Sequence, residues 1–180
     1  GWPIGGVGVD GLAAPDYAAS DGVHVVDLGY YDAGAGTITF NGSVSFAGSS
    51  ALSASTTKNI VVNSGANVGT INGNLTLLAN QQATPTGSFF NGIYVLGSIG
   101  TTGGNLDIRG RGGNASGGNH GVFLGSTGSI IGGGSGTTTS VRGTGGASTV
   151  SWNLGVYLLG SATVISSTGG DVQVIGQGGG

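Results

Sequence analysis

Apolar residues along this chain fall in short runs separated by clusters of Gly, Ser, Thr and Asn. Short β-branched and aromatic runs between turn-forming residues predict strands, whereas helices need longer segments with a 3.6-residue period. One strand type is Ile93-Tyr94-Val95, which returns as Val122-Phe123-Leu124 and Val156-Tyr157-Leu158, each just after a glycine. Ile60-Val61-Val62 is its earlier equivalent. A second type ends in a glycine motif: Asp107-Ile108-Arg109-Gly110-Arg111-Gly112-Gly113 returns as Ser140-Val141-Arg142-Gly143-Thr144-Gly145-Gly146 and as Gln173-Val174-Ile175-Gly176-Gln177-Gly178-Gly179. Gly110, Gly143 and Gly176 are 33 residues apart both times, and Ala79 stands 31 before Gly110. A third short run lies between these two types, at Asn67–Thr70, Ser98–Gly100, Ser129–Ile131 and Thr163–Ile165.

Three short strands cannot bury an apolar face on their own, but stacked copies of the unit make a continuous core. The pattern therefore predicts a parallel β-helix in which each strand pairs with its counterpart one rung above, about 4.8 Å away. Thr37–Phe40, Ser43–Phe46 and Ala51–Ser55 form the expected first rung, which gives about five rungs over residues 37–180. The spacing of Gly92, Gly121 and Gly155 varies from 29 to 34 residues, so extra length is expected in turns at 81–89, 114–118 and 148–152. The glycine motifs are expected at corners, where positive φ and close backbone approach favour Gly. Stacked columns Ile108-Val141-Val174, Arg109-Arg142 and Tyr94-Phe123-Tyr157 follow from this register.

Composition narrows the function. The 180 residues hold 43 Gly, four basic residues, seven Asp, no Glu and no Cys. Four dispersed cations cannot supply the clustered positive charge that nucleic acid requires. Absence of Cys excludes a disulfide framework and a thiolate metal site. No apolar run approaches a membrane span of roughly 20 residues. Asp107, Ser140 and Gln173 share one expected column, so that column holds no pair of carboxylates for glycoside cleavage. No catalytic, cofactor or metal residue is therefore assigned.

Asn74-Leu75-Thr76-Leu77, Gly121-Val122-Phe123-Leu124 and Gly169-Gly170-Asp171-Val172-Gln173-Val174 resemble the β-strand-repeat proteins related to filamentous haemagglutinin. The resemblance covers roughly residues 37–180. It implies a right-handed β-helix within a large secreted bacterial surface protein, non-enzymatic and used for adhesion or extracellular structure. The implied partners are neighbouring rungs, further copies stacked head-to-tail, or a cell surface or glycan. A carbohydrate-active enzyme and a carbohydrate- or ice-binding module are the alternatives.

Residues 1–36 differ from the repeats, with five of the seven Asp, and are expected to form a cap or assembly segment containing a strand at Gly22–Val26. Within them, Gly5-Gly6-Val7-Gly8-Val9-Asp10-Gly11-Leu12-Ala13 matches a Ca²⁺-binding nonapeptide that works only when several copies stack, and one copy stands here. His24 and His120 have no acid at ligand spacing and are expected on the surface.

Overall fold

The computed structural model describes the backbone of residues 23–27 and all of residues 36–180. Every regular element in these residues is a strand. Strand β1 (Val23–Asp27) is followed by five triplets in constant order. The first triplet is β2 (Thr37–Phe40), β3 (Val44–Phe46) and β4 (Ala51–Thr56). The second is β5 (Asn59–Val62), β6 (Asn67–Thr70) and β7 (Leu75–Ala79), and the third is β8 (Ile93–Val95), β9 (Ser98–Thr101) and β10 (Leu106–Arg111). The fourth holds β11 (Val122–Gly125), β12 (Ser129–Gly132) and β13 (Thr138–Thr144). The last holds β14 (Val156–Leu159), β15 (Val164–Ser167) and β16 (Asp171–Gln177).

Like pairs with like throughout. Face I is the sheet β2-β5-β8-β11-β14, face II is β3-β6-β9-β12-β15, and face III is β1-β4-β7-β10-β13-β16. All pairings are parallel, so the chain coils as a three-sided β-solenoid. Alternation within each strand sends one side chain inward and the next outward. The inward columns are apolar: Leu52, Leu75 and Leu106 form one, and Ala54, Leu77, Ile108 and Val141 another, all at most 2 % exposed. Together they make one continuous core along the coil axis. No described helix is long and apolar enough to cross a membrane.

The expected columns form. Gly110 pairs with Gly143 and Gly143 with Gly176, Ile108 with Val141 and Val141 with Val174, and Arg109 with Arg142. The expected strand near Gly22–Val26 is β1, which pairs with β4 and extends face III by one strand. Otherwise the expected cap or assembly segment, and the nonapeptide around Asp10, lie outside the described residues.

Two details differ from expectation. Gly110 and Gly143 are inward positions within strands and do not take positive φ. Glycine is required there by close approach alone, since a Cβ on Gly143 would lie 1.9 Å from the Gly155 carbonyl oxygen. In face II, Ile130 pairs with Ile165 rather than with Val164, one residue later than expected. A one-residue slip exchanges the two faces, and it puts Ile165 against the core while Val164 stays 38 % exposed.

Candidate functional surface

Three of the four basic residues meet on the outer side of face III. Arg109 and Arg111 are alternate outward residues of β10, and Arg142 sits one rung above Arg109. Two of them are satisfied. Arg109 grips Asp107 with Nη2–Oδ2 at 2.8 Å and Nε–Oδ1 at 3.0 Å. The Asp107 hydrogen bond, and then its charge, hold the Arg109 guanidinium above its ordinary pKa. Arg142 donates to Ser140 Oγ at 3.3 Å and to Gln173 Oε1 at 3.1 Å.

Arg111 is different. Its Nε is buried without a hydrogen-bond partner, and no carboxylate pairs with it among the described residues. It lines a cleft of about 290 Å³ with Pro85, Thr86, Asn114, Thr144 and Ala147. A second depression of about 320 Å³ lies on face II over Gly69 and Gly100, beside Ile71, Thr102 and Ile131, and none of its lining residues is charged.

The cleft borders the three long turns foreseen at 81–89, 114–118 and 148–152. Each is closed by a buried asparagine. Asn80 accepts from the Thr86 N–H at 2.7 Å and donates to the Thr86 carbonyl at 3.2 Å. Asn119 donates to Ala115 O at 2.7 Å and Ser116 O at 2.8 Å, while its Oδ1 accepts from the Phe90 N–H at 2.9 Å. Asn153 donates to Val150 O at 2.7 Å, and its Oδ1 accepts from the Asn119 N–H at 3.1 Å. These amides fix the turns and tie each rung to the next. For Asn119 and Asn153 the sequence signature is Asn two residues before the glycine that precedes a strand, as in Asn119-His120-Gly121 and Asn153-Leu154-Gly155; Asn80 lacks it. Outward from the same turns project Phe89, Val150 and Trp152, exposed by 64, 54 and 69 %. Trp152 is held at φ +72°, a left-handed conformation that costs an ordinary residue energy.

On face I, Tyr94, Phe123 and Tyr157 stack with centroids 4.9 and 5.2 Å apart and planes within 11° of parallel. Both faces of Phe123 are therefore covered by neighbouring rings, so the middle of the ladder offers no open ring face to a sugar. His120 sits edge-on to Phe123 and against Tyr157. Contrary to expectation it is buried, only 6 % exposed. The reason is the ladder: ring edges on the adjoining strands close over the corner where His120 stands. Burial lowers its pKa, and its Nδ1 accepts from the Leu154 N–H at 3.3 Å. The side chain of His24 lies outside the described residues.

Asp107 belongs to the column Thr76-Asp107-Ser140-Gln173, as expected, and Asp171 stacks over Thr138 instead. Two rung spacings, roughly 10 Å, separate their levels. Among the described residues no cluster of His, Cys, Asp or Glu has the grouping to hold a metal ion.

Fold and surface together define a parallel β-solenoid whose variable turns gather at one corner. No protein family, curated protein or solved structure matches the chain.

Proposed function

We propose that this chain is a rigid, non-catalytic segment of a secreted bacterial surface protein, which presents adhesive turns along one corner of a rod. The observation that carries the reading is the unbroken like-on-like register of face III from β4 to β16. Every rung repeats the same architectural work, so sequence change is free to collect in the turns, where binding residues are commonly carried on a rigid scaffold. Exposed Phe89, Val150 and Trp152 supply apolar contact area of the kind that marks interaction sites. Among the fully described residues the only side-chain carboxylates, Asp107 and Asp171, stand two rungs apart, which supports a scaffold over a hydrolase built on that pair.

Beads coated with the protein test the adhesive part. They should be retained on bacterial or epithelial cell layers above albumin-coated beads, and replacing Phe89, Val150 and Trp152 by Ser should release them. Equal retention of the two bead types would refute adhesion. Release of new reducing ends from a polysaccharide panel would refute the non-catalytic part.

A further inference from the structure

We propose that the Arg111 cleft is a binding site for a singly charged carboxylated sugar unit, with Arg111 as its anion anchor. Arg111 is the arginine of face III that the fold leaves unpaired: Asp107 neutralises Arg109, and Arg142 has Ser140 and Gln173. An ordinary surface guanidinium spends its N–H groups on water, but here Nε is sealed from solvent and from acceptors. That donor therefore has no partner, and an anion meeting the guanidinium finds no carboxylate among the described residues competing for it. Planar guanidinium and planar carboxylate match as a charge-assisted pair.

The surroundings select the rest of the ligand. At about 290 Å³ the cleft is at the small end of ligand sites, the scale of one sugar ring. Thr86, Asn114 and Thr144 bring hydroxyl and amide groups for ligand hydroxyls, while Pro85 and Ala147 give apolar surface to a ring face. Among the described residues the cleft offers one guanidinium and no second cation, so one carboxylate on an otherwise neutral saccharide fits it better than a polyanion. This site does not depend on adhesion by the exposed turns: it would exist in a purely structural rod, and adhesion would survive its absence.

The test is an amide NMR titration of the whole chain with glucuronate, glucose, acetate and inorganic sulfate in separate arms. Glucuronate should shift the amides of Arg111, Gly112, Asn114 and Thr144 saturably. Glucose, which lacks the charge, should be weaker by about tenfold or more, the scale of one charge-assisted pair. Acetate and sulfate, which lack the ring, should also be weaker. Arg111→Gln should abolish the glucuronate response, Arg111→Lys should weaken it, and Arg109→Gln should leave it unchanged, with an otherwise native spectrum reporting that each variant folds. Equal binding of glucose removes the role of the charge, and equal binding of acetate or sulfate removes the sugar. Persistence in Arg111→Gln, or no response to glucuronate at all, overturns the site.

Discussion

At the scale of single residues, His120 carries the clearest linkage between chemistry and stability. It is the buried imidazole of the aromatic ladder, packed on Phe123 and Tyr157, and its Nδ1 must stay unprotonated to accept from Leu154. Burial lowers its pKa below the usual value near 6.5. The unfolded chain therefore takes up a proton at a higher pH than the native chain does, and stability falls as pH drops from about 6.5 through the lower native pKa. Above that window the contribution of His120 is flat. Urea midpoints at pH 7.5 and 5.5 should show a larger acid loss for the natural chain than for His120→Gln, which keeps an acceptor but cannot charge. His24 is common to both proteins and cancels in the comparison. Equal losses would mean that the ladder does not desolvate His120. Thr139 shows the opposite arrangement: its hydroxyl is buried unpaired, in a column that holds Leu52, Leu75 and Leu106 on the rungs before it. It fills the space left by Gly132, where a Cβ would lie 1.5 Å from the Thr139 Oγ1.

At the scale of elements, the strands were legible in sequence and the ties between them were not. Strand positions followed from apolar runs, and the face III register followed from glycines 33 residues apart, because a Cβ on Gly110 or Gly143 would run into the backbone leading into the next strand. Face II slipped by one residue because Val164 and Ile165 are adjacent and both apolar, so pattern alone could not choose which points inward. Buried amides were illegible for a related reason. Asn114 and Asn119 stand in the same turn, yet the first is exposed and the second is fully buried, and only the rung above decides between them. Arg111 was hidden likewise, since its isolation depends on where Asp107 turns. The asparagine ties make a quantitative prediction. Asn119→Ala removes two donated bonds and strands the buried Phe90 N–H, and should cost roughly 2–4 kcal/mol in a chemical denaturation curve. Asn114→Ala loses one exposed contact with the Ser88 N–H and should cost under about 1 kcal/mol. Similar losses for the pair would show that the buried amide does not tie the rungs.

At the scale of the whole molecule, the two ends of the core are unlike. Ile38, Phe40 and Phe46, inward residues of the first triplet, are 0, 3 and 1 % exposed, whereas Leu158, Val172 and Val174 of the last are 41, 44 and 46 % exposed. The same columns one rung earlier, at Leu124, Thr139 and Val141, are fully buried. The last rung thus presents an apolar floor bordered by the free edges of β14, β15 and β16, surface that another layer of strands would cover. Two copies of the 180-residue chain can cover that floor by meeting through their last rungs about a two-fold axis, a contact that closes at the dimer. Head-to-tail stacking, the other way to cover it, pairs a last rung with a first rung and propagates without closing. Sedimentation of the 180-residue chain should show a monomer–dimer equilibrium that reaches a plateau as concentration rises. Val174→Asp, which puts a charge on the apolar floor, should shift it to monomer. Ile175→Asp, on the outward side of the same strand, should dimerise as before, because it leaves the floor intact. A ladder of ever longer species would show that the first rung also opens, and that the end faces join as a filament.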